Sequence, residues 1–276
     1  MDLICPVCGA ALRREDKRYC CERRHSYDLA KSGYVNLLPP TPAGKRHGDD
    51  KRMVSARTAF LSRGYYDHLQ QAVSALACEL AGPSPAVVDA GCGEGAYTRR
   101  VFDALTADGR RVQIFGIDIS TDALRHAARL VPSGVFCAAS TAHMPLAGGC
   151  ASLVLNIFSP CMAEEFRRVL RPDGFLLRVV PMERHLWELK AAIYTRPYEN
   201  PAPVPGLPGF VLCKQETLRR RIHLATPEDV QNLFQMTPYY YKTGAEDQKK
   251  LDGVAQLDVT TEFLLTVYQP CPQGQA

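Results

Sequence analysis

Between Val87 and Gly95 the chain reads V-V-D-A-G-C-G-E-G, an apolar run that closes on an acidic residue and then places glycine at every second position. Nothing else in the 276 residues restricts the fold as tightly. A short apolar run that breaks into turn residues is the pattern of a strand buried on both faces. The segment after it, residues 96–105, can be helical. A glycine-rich turn between strand and helix lets backbone amides approach a ligand closely. The spacing, D-x-G-x-G-x-G, differs from the dinucleotide pattern G-x-G-x-x-G, whose third glycine serves helix–strand packing.

The flanking sequence repeats the same rhythm. Strands are expected at 86–90, 112–117, 134–138, 152–157 and 174–180, with helices at 96–105, 121–130 and 163–170 between them. Alternation of this kind argues for an α/β fold with a mainly parallel, doubly wound sheet and right-handed crossovers. Two long strand-like segments, 210–224 and 256–268, enclose a helix-compatible stretch at 227–235 and suit an antiparallel sheet edge. That makes seven strands. Residues from Gln269 onward read as a frayed tail. Upstream, residues 1–38 are rich in cysteine and charge, the proline-rich and charged stretch 39–52 has a linker composition, and helical periodicity begins at Met53. The expected division is a small module at 1–38, a linker at 39–52 and a larger domain at 53–276.

The N-terminal module carries its own chemistry. Cys5 and Cys8 form a C-x2-C knuckle, followed by Cys21 after twelve residues and His25 after three more. Four soft ligands at this spacing suit a structural zinc ion, which accepts tetrahedral thiolate and imidazole ligation without redox chemistry. Cys20 competes with Cys21, and the C-x3-H step favours Cys21. A redox C-x-x-C is the alternative. A closed site of this kind is not catalytic, and in so short a module the metal supplies folding energy.

Charge is concentrated in the same region. Residues 1–52 hold eleven of the 33 Lys and Arg but only seven of the 29 Asp and Glu, so the whole net charge of +4 lies there. Arg13, Arg14, Lys17, Arg18, Arg23 and Arg24 surround the presumed metal loop, where they could grip phosphates or simply form a solvated face. The chain has eleven cysteines, and most of them sit in apolar segments, as expected of core packing in a reducing compartment. No apolar run approaches the ~20 residues of a membrane span, and the first residues lack a secretory pattern. A cytoplasmic location is expected, with no membrane partner.

The glycine loop resembles motif I of the class I S-adenosylmethionine (SAM) methyltransferases. On that reading Gly91, Gly93 and Gly95 sit at the carboxyl end of the first strand. Asp89 accepts from the SAM ammonium or a water, or else binds the loop amides. Asp118, ending the second strand, can accept from both ribose hydroxyls, or else it caps the next helix, a task Ser120 could also perform. Ser140 and Thr141 lie near the adenine or form a turn. Asn156 and Ser159, in the stretch Asn156–Cys161, are the candidate catalytic residues of a base-holding segment, against the alternative of a plain strand end. His185 could contact the cofactor carboxylate or be structural.

Taken together, the zinc cluster, the stretch Asp28–Leu38, Ala56-Arg57, Phe60-Leu61, Gly64-Tyr65-Tyr66, the glycine loop, Ser159-Pro160-Cys161, Arg184-His185-Leu186-x-Glu188-Leu189 and Met236-Thr237-Pro238 resemble the 23S rRNA (guanine-N1)-methyltransferase family over nearly the whole length. The resemblance implies cofactor contacts from Tyr66, Gly93, Glu94 and His185. It also implies a 23S rRNA hairpin loop as substrate, SAM and structural Zn2+ as cofactors, and a homodimer. Two other functions compete: methylation of a small molecule, since the core fold hosts many substrates, and RNA binding on a vestigial cofactor fold. The basic zinc module argues against the first, and the intact glycine loop with Asp118 against the second.

Overall fold

The computed structural model describes residues 3–40 and 48–272. Residues 41–47 of the expected linker lie outside the described residues. The chain begins with three short strands, β1 (Arg13–Glu15), β2 (Arg18–Cys20) and β3 (Ser26–Asp28), which form a small antiparallel sheet in that order. A fourth, β4 (Tyr34–Asn36), leaves that sheet. Then follow α1 (Lys51–Ser62), α2 (Asp67–Leu80), β5 (Ala86–Ala90), α3 (Ala96–Ala107), β6 (Gln113–Asp118), α4 (Thr121–Leu130), β7 (Val135–Ala138), β8 (Ala151–Ile157), α5 (Ala163–Val169), β9 (Leu170–Pro181), α6 (Trp187–Ile193), β10 (Phe210–Leu224), α7 (Pro227–Gln235) and β11 (Leu257–Pro270).

The main sheet has eight strands in the order β10-β11-β9-β8-β5-β6-β7-β4, antiparallel only where β11 meets β9 and β10. Seven of these match the expected set, and the eighth is β4, which pairs in parallel with β7 through Tyr34–Phe136, Val35–Cys137 and Asn36–Ala138. A strand of three residues gives too little periodicity to be read in advance. The expected tail is corrected as well. Gln269 and Pro270 pair with Val211 and Phe210, so β11 runs two residues into the stretch where fraying was expected, while residues 273–276 of that stretch lie outside the described residues. At the other boundary, α1 begins at Lys51, inside the expected linker, because Asp50 accepts the Met53 amide at 2.9 Å and caps the helix there.

Local sequence explains most elements. β5 is buried throughout, as a central parallel strand must be. Ser120 caps α4, and Thr226 with Pro227 at the first helical position starts α7.

A parallel sheet needs both faces covered. One face carries α2, α3, α4, α6 and α7, whose Leu69, Val73, Val101, Leu124, Leu189 and Leu233 join Val87, Leu153 and Leu177 in one core. The crossover from β7 to β8 contains no helix. The zinc module covers that part of the opposite face. Leu3, Cys5, Leu12, Tyr19 and Cys21 share a buried cluster with Phe115, Ile117, Cys137 and Leu146, and α5 adds Phe166 and Val169. Among the described residues no helix is long and apolar enough to cross a membrane.

Strand order reverses between β5 and β8, which places the switch point where the glycine loop begins.

Candidate functional site

The first candidate centre is the cysteine cluster. One ligand atom from each of Cys5, Cys8, Cys21 and His25 lies within 4.8 Å of all the others. The two sulfurs of Cys8 and Cys21 are 3.7 Å apart, and His25 Nδ1 is 3.4 Å from both Cys5 and Cys21 sulfur. Tetrahedral zinc with Zn–S bonds near 2.3 Å separates thiolates by about 3.8 Å, so the four atoms fit this ion. The competing Cys20 turns away to Ser26 Oγ at 3.5 Å. Two knuckles hold the ligands: the Gly9 amide donates to the Cys5 carbonyl and the Arg24 amide to the Cys21 carbonyl, and each donor residue is itself in left-handed backbone. Tyr27 Oη lies 3.3 Å from Cys5 sulfur and supports that ligand from outside. Arg13 and Arg14 on β1 and Arg18 on β2 are exposed.

The second centre lies at the carboxyl ends of β5, β6 and β8. Gly91 and Gly95 both have φ of 89°, and both are needed. A Cβ on Gly91 would stand 2.4 Å from Ser159 Cβ, and one on Gly95 would stand 2.8 Å from Ala127 Cα of α4. The loop therefore binds β5 to both the β8 turn and α4. At Gly93 a Cβ would meet only Arg57, at 3.4 Å, so this backbone is open on the ligand side. A cradle of this shape fits a ligand laid on peptide groups, as SAM is.

Two carboxylates shape the cradle. Asp118 Oδ2 accepts the Gly93 amide at 2.9 Å and its Oδ1 accepts the Ser120 amide at 2.8 Å. It thus ties the loop to the end of β6, while Ser120 does the helix capping. Each Asp118 oxygen keeps a second lone pair for a ligand. Asp89 does not bind the loop amides. It accepts from Thr98 Oγ1 at 2.5 Å, and burial pushes its carboxyl up to about 7. Ser140 forms a turn, its hydroxyl accepting the Ala142 amide at 3.2 Å.

One layer of the site escaped the sequence reading. Arg57 of α1 reaches over the glycine loop to pair with Glu94 at 3.4 Å and Asp49 at 2.6 Å. Burial pushes the Glu94 carboxyl up against the opposing pull of that guanidinium. The carbonyl of Asp49 accepts from Ser120 Oγ at 2.6 Å, so the entry to α1 is packed onto the end of β6. A signal did exist: Arg57 shares the apolar stripe of Met53, Phe60 and Leu61 on α1, where a solvated arginine would not be placed.

Beyond the loop stands an aromatic wall. His185 is buried, its Nδ1 accepts the Glu262 amide at 3.1 Å, and Tyr66 Oη lies 3.5 Å from Nε2. The imidazole is therefore neutral with its proton on Nε2, and burial holds its pKa down to about 3. Phe263 of β11 touches the wall on three sides, with ring centroids 4.6 Å from His185, 5.3 Å from Tyr66 and 5.5 Å from Phe158. Phe158 has φ of 55° and is 44% exposed, an aromatic ring held out of β8 in strained backbone. Asn156 is fully buried. Its amide donates to Ser159 Oγ at 2.6 Å and to the Ser159 and Pro160 carbonyls at 3.2 Å, while Ser159 Oγ donates to the Ala90 carbonyl. Both residues hold the turn on which Phe158 stands.

Glycine cradle, a carboxylate closing the second strand and a doubly wound sheet with an antiparallel edge define a class I SAM-dependent methyltransferase carrying a zinc ribbon. Residues 87–174 match the family model described as "Methyltransferase domain", and residues 3–42 match the one described as "RlmA, N-terminal". The chain is 34% identical to the 23S rRNA (guanine(748)-N1)-methyltransferase of Streptomyces fradiae over 98% of its own length and 97% of that protein. It is 36% identical, over 97% of each chain, to a Micromonospora griseorubida protein named provisionally as a 23S rRNA (guanine-N1)-methyltransferase. A provisionally named Bacillus subtilis relative is 28% identical over 94% of this chain. The chain belongs to the 23S rRNA (guanine-N1)-methyltransferase family.

Proposed function

We propose that this enzyme methylates N1 of a guanine in a hairpin loop of 23S rRNA. The observation that carries the proposal is the 34% identity, across almost both full chains, to a relative named for N1 methylation of a 23S rRNA guanine. Relationship on that scale includes the zinc ribbon as well as the cofactor fold, and a small acceptor has no use for a basic ribbon.

The cofactor would lie on the open backbone of Gly91, Gly93 and Gly95, held by Asp118 at the ribose, and by Asp89, Tyr66, Glu94 and His185 around its amino-acid end. When bound, SAM supplies a methyl group on a positively charged sulfur. The chain's own residues do the rest. Phe158 offers an exposed ring on which a splayed-out base can stack. Asn156 and Ser159 are positioning residues, fixing the angle of that ring through the turn they bind. Neutral His185, locked by Glu262 and Tyr66, presents an N–H donor rather than a base. The exposed arginines of β1 and β2 would meet RNA phosphates. A homodimer acting in the cytoplasm accompanies this reading, as in the family the sequence resembles.

The test is incubation of the purified protein with labelled SAM and unmodified 23S rRNA, followed by primer extension. N1-methylguanine blocks Watson–Crick pairing, so a new stop is expected at one loop guanine. The base equivalent to the one named for the Streptomyces fradiae relative is the first place to look. Label in RNA without such a stop, or label only in small acceptors, would overturn the assignment.

A further inference from the structure

Tyr97 carries a buried phenol oxygen with no hydrogen-bond partner among the described residues. Its ring packs edge-on against Phe158, with centroids 6.2 Å apart. Tyr66, Glu94 and Arg57 are its electrostatic neighbours, so the hydroxyl lies among residues that border the glycine loop. Burial holds the phenol firmly protonated, which makes it a donor. A buried donor left without an acceptor costs free energy, and folded proteins keep few of them. Glu94, the carboxylate among these neighbours, is already engaged by Arg57.

Tyr97 also lies in the first turn of α3, a twelve-residue helix. The N-cap there is Gly95, which has no side chain to receive the first amides. Those amides have no partner inside the helix, and with the helix dipole they favour an anion. An orphaned phenol donor and an uncapped helix start thus both border the glycine loop. On SAM the one anionic group is the carboxylate of its amino-acid end.

We infer that the Tyr97 hydroxyl is a binding group for the carboxylate of the cofactor's amino-acid end, held unpartnered in the free protein for that purpose. The inference adds a ligand to the cofactor site and rests on the cofactor lying along the glycine loop.

The test compares the full-length protein with Tyr97→Phe, which keeps the ring and removes only the oxygen. Binding is measured by calorimetry with S-adenosylhomocysteine, which retains the amino-acid end, and with methylthioadenosine, which lacks it. Tyr97→Phe is expected to weaken S-adenosylhomocysteine by tenfold or more and to leave methylthioadenosine within twofold. The ligand-free variant is expected to melt at the parent temperature or above it, because the orphaned hydroxyl has gone. Unchanged S-adenosylhomocysteine affinity overturns the inference. So does equal weakening of both ligands, and so does a ligand-free melting temperature several degrees lower, which would make the hydroxyl a structural group. Failure of the underlying site would instead show in the parent protein, as no binding of either ligand.

Discussion

Leu3 and Leu146 face each other across an isolated antiparallel bridge, and the Ile4 amide beside it donates to the Pro145 carbonyl at 2.9 Å. The zinc ribbon is thereby stitched to the β7–β8 crossover two residues before its first metal ligand. The metal centre and the catalytic sheet form one packed body on this face.

Loss of the metal should therefore weaken the whole enzyme. Cys8→Ser or Cys21→Ser should abolish zinc binding, measured by elemental analysis, and lower the melting temperature of the sheet as well as of the ribbon. Cys20→Ser should retain the metal, since its sulfur points to Ser26. Leu3→Ala should keep the zinc yet cost about 2–4 kcal/mol, as a buried leucine does. If the methyltransferase body melts unchanged without zinc, the shared core carries no weight.

The glycine loop predicts an order of damage. Gly91→Ala would drive its Cβ to 2.4 Å from Ser159 and disturb the β8 turn, whereas Gly93→Ala meets only the end of Arg57. Both positions have positive φ, so each substitution also carries roughly 1 kcal/mol of backbone strain. Melting temperatures should fall in the order parent, Gly93→Ala, Gly91→Ala, and both variants should bind SAM weakly. Equal melting points for the two variants would contradict the close packing at Gly91.

His185 and Asp89 give stability opposite slopes with pH. The folded-state pKa of His185 is about 3 against 6.5 unfolded, so below pH 6.5 the unfolded chain takes up a proton that the folded one refuses. Its contribution is present above pH 6.5 and is lost as pH falls toward 3. Asp89 has a folded-state pKa of about 7 against 3.8, so the folded chain holds the extra proton. Its contribution is greatest below pH 3.8 and is lost as pH rises through 7. Each can change stability by up to about 1.4 kcal/mol per pH unit within its window. In urea unfolding, the stability of the parent minus that of His185→Gln should grow from pH 4 to 6.5. Parent minus Asp89→Asn should shrink from pH 4 to 7. Parallel curves for parent and variant would refute the assignment for that residue.

Arg57 and Glu94 should behave as a unit. Arg57→Met leaves a nearly inaccessible carboxylate without its cation, which costs about 3 kcal/mol or more. Adding Glu94→Gln should recover much of the loss, and a double-mutant cycle measured by denaturant unfolding reads the coupling directly. A purely additive pair would show that Asp49, the closer carboxylate, is the true partner.

Much of this was legible in the chain because its signals are local. Apolar runs marked β5 and β10 to the residue, Thr121 and Pro227 opened helices where expected, and the ligand spacing picked Cys21 over Cys20. Other features rest on pairing between distant segments. β4 is a strand only because β7 offers an edge, and Gln269 is ordered only because Val211 lies opposite. The same holds in the site. Asp118 could be placed by the strand it ends, but Phe263 joins Tyr66 and His185 through the register of β11 on β9, which no local pattern announces. Asn156 and Ser159 stand out in the sequence only as candidate catalytic residues, and it is their bonds to each other that show them supporting Phe158.

The position of β4 also orders events during synthesis. Zinc can be captured once His25 has left the ribosome, but Val35 has no strand to join until Cys137 has been made, and Leu3 none until Leu146. The ribbon must wait, metal in place, with Leu3 and Leu12 uncovered while about a hundred residues of sheet and helix emerge behind it. Contacts of such long sequence separation form slowly, and their apolar faces invite aggregation in the interval. Zinc supply at the moment of translation is therefore expected to set the yield of folded enzyme, which soluble protein recovered from zinc-limited and zinc-replete synthesis would read.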